Sequence, residues 1–468
     1  MTARHIAVID IGKTNAKLAL VEAGTLRELA VVTRPNIVRP GPPWPHFDLD
    51  GHWEFFLHHL AAFHAAHGVD AISVTTHGAA AVLLDAQGAL AAPMLDYEHR
   101  GPDDLAREYD AIRPDFAQTG SPRLGLGLNL GAQLHWLFRT QPGLRERTAH
   151  VLTYPQYWGW RLTGELASDV TSLGCHTDLW NPWEGKFSSL VGRLGLEDRL
   201  APARRPGEVL GELRARIAAR TGLSARTPVA VGIHDSNASL YPHVLARRGA
   251  FSVVSTGTWV VCMAVGGART DLDPARDLLV NVNGLGRPVP SARFMGGREY
   301  EIIRAGRDPH PLPADRAAVL AGGVMILPAV EPGSGPFQGR RMRWSAAPAS
   351  EGQRLTALSL YLALMTGTCL RLIGAEGPVI VEGPFARNRD YLDMLAALRP
   401  GGVEIAASAT GTSVGAALLA LPGAIAPTAA VRHPPPADRH ALRAYAKDWQ
   451  ARVAEDHDPA SEEPPRSP

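Results

Sequence analysis

The residues Asp10-Ile11-Gly12-Lys13-Thr14-Asn15 contain a Gly-Lys-Thr triplet, which is also the ending of the P-loop that binds nucleotide phosphates. A P-loop needs a second glycine five residues before the Gly-Lys pair and a helix directly after it, but Ala7 stands at that position. The residues that follow alternate with a period of two, as in a strand. The segment is therefore predicted to be the tight turn of a β-hairpin, whose backbone amides can still form an anion-binding concavity.

A second stretch, residues 251–267 (FSVVSTGTWVVCMAVGG), has the same strand–turn–strand pattern. Aligning the glycines of the two turns places Asp10-Ile11-Gly12 over Ser255-Thr256-Gly257. The two copies lie in opposite halves of the chain. This spacing predicts a duplicated fold with one phosphate-binding hairpin in each half and a nucleotide in the cleft between the halves. Turns of small residues are also common in ordinary hairpins, so neither turn alone is specific.

Between the hairpins, residues 229–246 (VAVGIHDSNASLYPHVLA) indicate a buried strand, a turn and a helix that opens at Asp235. Two interpretations of Asp235 are open. Aspartate is favoured at a helix N-cap, because its side chain accepts a hydrogen bond from an unpaired backbone amide. Alternatively, Asp235 is a general base at the mouth of the interdomain cleft.

The C-terminal part contains two further patterns. Residues 378–406 predict an apolar strand, a Gly-Pro turn, a helix and another strand, and residues 409–423 predict a helix rich in small residues. Small residues let a backbone or a flat ligand approach closely, and they serve close helix–sheet packing equally well. On a predicted helix over residues 50–68, the histidines have no carboxylate or cysteine companion at ligand spacing, so an ordinary helix is favoured over a metal site.

Helical and strand patterns alternate along the 468 residues, which indicates an α/β fold in more than one domain. The formal net charge of +1 argues against a nucleic-acid partner that relies on a strong basic field. Three distant cysteines exclude a disulfide framework or a cysteine-based zinc site and fit a reducing cytoplasm. We expect no membrane span and no signal peptide, and residues 457–468, which are polar and proline-rich, are expected to be a disordered tail.

Taken in order, these segments resemble the FGGY carbohydrate kinases, a branch of the actin, Hsp70 and sugar-kinase superfamily. The resemblance runs from Ile6 to about Ala420. The matching segments are DIGKTNAK and VSTGTW for the two phosphate motifs, GIHDSNAS for the catalytic aspartate, VEGPFARNRDYLDMLA with GTSVGAALLA for the adenosine region, and TTHGAAAVLLDAQG, LDYEHR and YWGWRLTGELASDVTS for the N-domain. Within the family, the motifs are most similar to those of rhamnulokinase, followed by fuculokinase and related deoxyketose kinases.

The resemblance implies two ribonuclease-H-like α/β domains with an active-site cleft between them. Residues 1–243 would form the domain for sugar and phosphate, and residues 244–445 the domain for ATP. It further implies a cytoplasmic phosphotransferase with an alcohol group as acceptor, which uses ATP and Mg²⁺. Its partners would be a small sugar and ATP, with no nucleic acid and no membrane, and a homodimer is left open.

Carried over position by position, the resemblance also implies a role for each matching residue. Asp235 would take the proton from the sugar hydroxyl, and Asp10 would hold magnesium through water. The expected sugar contacts are His77, Gly78, Glu98, His234 and Ser236, and the expected ATP contacts are Gly12, Lys13, Thr14, Asn15, Lys17, Gly257, Thr258 and Gly383. Phosphoryl transfer depends on positioning and on neutralising charge, which turn amides, a lysine and a magnesium ion supply.

The sequence departs from the family in four places. Arg293 stands where rhamnulokinases tend to have asparagine, and the segment over residues 300–323 is shorter than is usual in the family. Glu382 replaces the first of two paired glycines, and Glu98 replaces an aspartate. None of these changes removes the catalytic aspartate or either phosphate turn, but they leave the sugar undetermined.

The hypothesis is an ATP-dependent kinase of a ketose or deoxyketose that resembles rhamnulose or fuculose. A kinase of a pentulose or polyol is an alternative within the family. A non-catalytic nucleotide-binding regulator on the same fold is a second alternative, disfavoured by the presence of both Asp10 and Asp235. A sugar-binding module without ATP is a third, disfavoured by the two phosphate hairpins.

Overall fold

The structure is a computed structural model that describes residues 3–308, 310–406, 411–423 and 430–455. Within this part, the chain forms two compact units. Unit 1 comprises Met1–Arg248, Val280–Val289 and Thr410–Thr428, and unit 2 comprises Gly249–Leu279, Pro290–Ala409 and Ala429–Pro468. The expected tail, residues 457–468, lies outside the described residues.

The strands are β1 (His5–Ile11), β2 (Asn15–Glu22), β3 (Glu28–Pro35), β4 (Val38–Arg39), β5 (His46–Phe47), β6 (Ala71–Thr76), β7 (Ala81–Leu84), β8 (His150–Thr153), β9 (Ser168–Asp169), β10 (Trp180–Asn181), β11 (Lys186–Phe187), β12 (Ala203–Arg204), β13 (Val209–Glu212), β14 (Pro228–Ala230), β15 (Ile233–His234), β16 (Phe251–Thr256), β17 (Val260–Val265), β18 (Leu278–Val282), β19 (Pro288–Phe294), β20 (Ile326–Leu327), β21 (Arg343–Trp344), β22 (Val379–Glu382), β23 (Val403–Ala406) and β24 (Ala430–Arg432).

The α-helices are α1 (Leu49–His67), α2 (Gly101–Asp104), α3 (Ala106–Asp110), α4 (Phe116–Thr119), α5 (Leu130–Thr140), α6 (Leu144–Arg147), α7 (Tyr154–Thr163), α8 (Val170–Leu173), α9 (Ser189–Arg193), α10 (Ala215–Thr221), α11 (Asp235–Ala246), α12 (Gly296–Arg304), α13 (Pro313–Gly322), α14 (Glu351–Leu372), α15 (Arg389–Leu398), α16 (Thr412–Ala417) and α17 (Arg439–Glu455). Short 3₁₀ turns occur at Pro274–Arg276, Pro384–Arg387 and Leu418–Ala420.

Two seven-stranded sheets repeat one pattern. The first has the order β13-β14-β6-β1-β2-β3, with β15 also paired to β6, and the second has the order β18-β19-β17-β16-β22-β23-β24. In each sheet a hairpin, β1–β2 or β16–β17, is antiparallel, and its first strand pairs in parallel with β6 or β22. Its second strand pairs antiparallel with β3 or β19. The predicted α/β fold and its duplication are therefore confirmed.

The observed division of the chain differs from the predicted boundary after residue 243. That position falls inside α11, which belongs to unit 1 as a whole, so the chain enters unit 2 only after Arg248. The predicted C-terminal domain is also not continuous, because α16 belongs to unit 1. At the other end, α17 runs to Glu455, beyond the predicted end at residue 445.

Each unit has its own apolar core. In unit 1, β1 is buried from Ile6 to Ile11, as expected for a central strand that is covered on both faces. In unit 2, α14 packs in the centre of the core. By length and composition α14 could span a membrane, because an 18-residue stretch of it has a mean hydropathy of 1.4. However, 83% of that stretch is buried inside the protein. It is therefore read as a core helix.

Candidate active site

The first predicted turn is a hairpin turn. Since β1 ends at Ile11 and β2 begins at Asn15, residues 12–14 form the connection. The backbone N–H of Gly12 donates to the carbonyl oxygen of Asn15 at 2.9 Å, which closes the turn. The prediction of a hairpin in place of a P-loop is confirmed.

Asn36, which the sequence analysis did not single out, fixes this turn. Its side-chain amide donates to the Gly12 carbonyl at 2.8 Å, and its backbone N–H donates to the Thr14 carbonyl at 2.9 Å. Its side-chain oxygen lies 2.8 Å from Nε2 of His52, a buried ring on α1. Thr14 and Asn15 are exposed on the turn that Asn36 fixes.

The carboxylate of Asp10 is almost fully buried and is held from two directions. Lys17 lies opposite Asp10 in the β1–β2 ladder, and its Nζ is 3.1 Å from Oδ2. Thr412 and Ser413, at the start of α16, donate hydroxyl hydrogen bonds to the same oxygen, at 3.2 Å for Ser413. The sequence analysis had placed this helix in the adenosine region of the second domain. The structure instead places it in unit 1, beside Asp10.

A magnesium ion fits Asp10 only in a limited way. Among the described residues, no group of three or more His, Cys, Asp or Glu side chains could hold a metal ion. Magnesium commonly keeps several waters and is bound through one or two carboxylates together with nucleotide phosphates. A single carboxylate beside a phosphate turn is compatible with that mode of binding, and with a contact through water.

The second predicted turn has the same length as the first. It connects β16 to β17 through residues 257–259, and the N–H of Gly257 donates to the carbonyl of Trp259 at 2.9 Å. The start of α12 lies directly against it: a Cβ placed on Gly297 would be 2.1 Å from the carbonyl oxygen of Gly257. Only glycine allows this approach, so the position of α12 fixes the turn.

Unit 2 contains an open cleft of about 2210 Å³ that reaches this turn. Its lining includes Gly257, Thr258, Gly297, Tyr300, Phe385 and Asn388. The segment 300–323, which the sequence analysis expected to be shorter than usual, supplies parts of α12 and α13, and residues of both helices line the cleft.

Gly383 connects β22 to this cleft. Its φ of +83° suits glycine, and a Cβ there would lie 2.0 Å from the carbonyl oxygen of Thr256. The Thr256 hydroxyl accepts a hydrogen bond from the N–H of Phe385 at 3.1 Å. Gly383 thus directs the following residues, Pro384 and Phe385, into the lining of the cleft.

In unit 1, two adjacent parallel strands bring the other predicted residues together. β15 pairs in parallel with the end of β6, with His234 beside Thr76. His77 follows β6 and Asp235 follows β15, so both emerge from the carboxyl edge of the sheet. In open α/β sheets, this edge is where ligands bind.

His77 is a buried ring with one nitrogen unused. Its Nδ1 lies 2.9 Å from the carbonyl oxygen of Gly78, while its Nε2 is buried without a hydrogen-bond partner among the described residues. Burial is the largest cause of a lowered pKa for His77, so the ring is neutral at neutral pH. Donation from Nδ1–H leaves Nε2 as an acceptor for a ligand hydroxyl.

Gly78 makes room for His234. A Cβ on Gly78 would lie 2.8 Å from Nε2 of His234. The predicted approach of the sugar to the Gly78 backbone remains a prediction. What the structure shows is that the glycine allows His234 to reach its place beside Asp235.

Asp235 is the first residue of α11, and His234 occupies the N-cap position. The N-cap interpretation of Asp235 is therefore wrong, although its Oδ1 accepts from the backbone N–H of Ser236 at 2.6 Å. The same oxygen lies 3.1 Å from Nε2 of His234, and the Asp235 side chain is 28% exposed. A carboxylate that is partly accessible and oriented by two neighbours can accept a proton from a bound hydroxyl.

Lys13, whose contact with phosphate remains a prediction, is paired with carboxylates in the structure. Its Nζ donates to Asp96 and lies 3.1 Å from Glu98, which is exposed. The ammonium also lies 4.6 Å from the ring centroid of Tyr97 and 5.3 Å from that of Phe47. Both rings contact His77. The sequence analysis missed Asp96 and Tyr97, although they belong to the segment LDYEHR that it had singled out.

Comparison with known proteins gives the same family twice. The model of the FGGY family of carbohydrate kinases, N-terminal domain, matches residues 5–241, and that of the carbohydrate kinase FGGY, C-terminal domain, matches residues 248–429. The L-fuculokinase of Salmonella typhi is 28% identical over 270 residues, which are 56% of this chain and 57% of that protein. The chain thus matches little more than half the length of this curated relative.

Solved structures are similar over a greater length. A carbohydrate kinase from Novosphingobium aromaticivorans is 40% identical, with a TM-score of 0.89 over 96% of this chain and 100% of that one. The xylulose kinase from Rhodospirillum rubrum has a TM-score of 0.77 over 97% and 99% of the two chains, and at 22% identity it shows the fold alone.

Proposed function

The chain belongs to the FGGY family of carbohydrate kinases, and from this we propose that it transfers the γ-phosphoryl group of ATP to a hydroxyl of a ketose or deoxyketose sugar. The observation that carries the proposal is the placement of Asp235. Its carboxylate is partly exposed at the carboxyl edge of the sheet, next to His77 and His234, whose side chains are buried. A fold-stabilising role would not need this accessibility.

In the proposed reaction, Asp235 takes the proton of the attacking hydroxyl as the oxygen–phosphorus bond forms, and ADP leaves with the electrons of the broken bond. Nε2 of His77 accepts a hydrogen bond from a second sugar hydroxyl. Magnesium, when bound through Asp10, supplies positive charge for the phosphate oxygens. The amides of the turns at residues 12–14 and 257–259 are proposed to bind phosphate, and the cleft of unit 2 is proposed to hold adenosine.

The charges around Lys13 favour a neutral sugar. Two carboxylates, Asp96 and Glu98, share this one lysine, so an acidic sugar would meet net repulsion there. Carboxylates that share a lysine are suited to accept hydrogen bonds from several sugar hydroxyls. The fuculokinase relatives support a deoxyketose, whereas a pentulose or polyol remains the alternative. We also propose a cytoplasmic location; the expected homodimer stays a prediction.

The test measures ADP release with Mg-ATP across a panel of ketoses, deoxyketoses, polyols and sugar acids. We expect a neutral ketose or deoxyketose to stimulate release, and Asp235→Asn to lower kcat by roughly 10²–10⁴-fold. A non-catalytic regulator would bind ATP without sugar-stimulated release from any panel member. Full activity of Asp235→Asn would show that Asp235 is not the general base.

A further inference from the structure

Cys175 lies in the same buried cluster as the proposed base. It follows α8, is 3% exposed, and its Sγ is 3.8 Å from Nε2 of His234. The same Nε2 is 3.1 Å from Oδ1 of Asp235. One ring nitrogen thus faces a sulfur on one side and a carboxylate on the other.

Both neighbours would be acceptors for a proton on that nitrogen. The backbone of His234 is also fixed, because its N–H donates to the hydroxyl of Thr171 at 3.0 Å and Asp169 accepts from that hydroxyl. The titratable groups that act on the pair of Cys175 and His234 are Asp169, His176, Asp235 and His77.

We propose that Cys175 is a positioning residue, which as a thiolate pairs with the imidazolium of His234 and thereby holds that ring as a donor to the carboxylate of Asp235. The thiol proton of Cys175 moves to the imidazole of His234, so the summed charge of the two groups stays zero. The inference rests on the proposed kinase function for its catalytic meaning, but the ion pair itself does not depend on it.

The charges around the two groups support this assignment. Burial by itself raises the pKa of the Cys175 thiol, but the neighbouring His176 and His234 outweigh it and lower that pKa to about 5. Burial by itself lowers the pKa of His234, but Cys175 and Asp235 outweigh it and raise that pKa to about 9. Between these two pH values both groups carry charge.

Asn237 supplies the remaining hydrogen bond of a charged ring. Its side-chain nitrogen lies 3.3 Å from Nδ1 of His234, and its side-chain oxygen is buried without a partner among the described residues. Oxygen and nitrogen of an amide are interchanged by a half-turn of the side chain. After that turn, the oxygen accepts from Nδ1–H of the imidazolium, and the amide nitrogen takes the position that has no partner among the described residues.

The first experiment measures the ultraviolet absorbance of thiolate in the purified protein as a function of pH. Subtracting the titration of Cys175→Ala from that of the wild type isolates Cys175, and Cys262→Ala is the control, since Cys262 is also a buried free cysteine. We expect the Cys175 signal to persist down to about pH 5. Appearance of the signal only above about pH 8.5, the ordinary value for a thiol, would overturn the proposal.

The second experiment records kcat/KM against pH with the best sugar. In a variant without the thiolate, His234 is uncharged and Asp235 loses its cationic neighbour. The pKa of Asp235 then rises, so we expect the acid limb of the kcat/KM profile to move upward by about one pH unit or more. Cys175→Ser should behave like Cys175→Ala, because a hydroxyl keeps the volume but supplies no charge, and Cys262→Ala should leave the limb in place. A wild-type profile in Cys175→Ser would overturn the proposal. If no sugar is phosphorylated, the kinase proposal fails while the absorbance titration still decides on the ion pair.

Discussion

The hydroxyl of Ser413 donates to Oδ2 of Asp10 at 3.2 Å, although 403 positions separate the two residues in the chain. The contact exists because α16, near the end of the chain, belongs to unit 1 and packs beside β1. The carboxylate proposed for magnesium is therefore oriented by a helix that follows the first two segments of unit 2 in sequence. Changes on α16 should therefore alter the position of the Asp10 carboxylate.

Gly415→Ala tests how closely α16 must pack on α11. A Cβ at this position would lie 1.8 Å from the carbonyl oxygen of Ala238, so the helices must separate. We expect a loss of about 1–3 kcal/mol in the free energy of unfolding, measured by urea denaturation. Gly24→Ala is the control, because nothing lies within 4 Å of the added carbon. Equal stability of the two variants would contradict the close packing.

Lys13→Met decides between two roles for this lysine. If Lys13 orders Asp96 and Glu98 in the sugar site, the variant should raise the KM for the sugar by about 10-fold or more, with little change in the KM for ATP. If Lys13 meets phosphate, as the sequence analysis predicted, the KM for ATP should rise instead. Lys17→Met is the comparison, since Lys17 pairs with Asp10 and not with Asp96.

The local elements of the site were predictable, whereas several of its contacts were not. Both hairpins and the helix after His234 follow from short patterns of apolar and small residues, which need no knowledge of distant parts of the chain. The pairing of Lys13 with Asp96 and the return of α16 to Asp10 depend on packing between segments 83 and 402 positions apart. No local pattern encodes such contacts. The resemblance of its segment to the family's first phosphate motif assigned Lys13 to phosphate, and that role remains a prediction.

Gly297→Ala tests the role of the second turn in nucleotide binding. The added carbon would displace α12 from the carbonyl of Gly257, and with it the turn that reaches the cleft of unit 2. We expect weaker binding of ATP by about 10-fold, measured by calorimetry without sugar. Gly322→Ala, on α13, is the matched control because the nearest atom lies 3.7 Å away. Unchanged ATP affinity in Gly297→Ala would show that this turn does not contribute to nucleotide binding.

Glu299 on α12 should make unit 2 less stable as the pH rises. The residue is buried; its Oε1 accepts from Tyr361 at 3.0 Å and from the N–H of Glu331 at 3.1 Å, and its Oε2 has no partner among the described residues. Burial is the largest cause that raises the pKa of Glu299 to about 7, against an ordinary value of 4.5. Between these values the folded state holds a proton that the unfolded state has lost.

The stabilising contribution of protonated Glu299 is therefore complete below about pH 4.5 and is lost as the pH rises to about 7, by roughly 3 kcal/mol in all. Glu299→Gln keeps the shape and cannot ionise, so the variant should lack this fall and should be more stable than the wild type above pH 7. Urea denaturation across the pH range measures the difference. Glu301→Gln, on the same helix but exposed, is the control and should keep the wild-type slope. A wild-type slope in Glu299→Gln would mean that folding does not raise the pKa of Glu299.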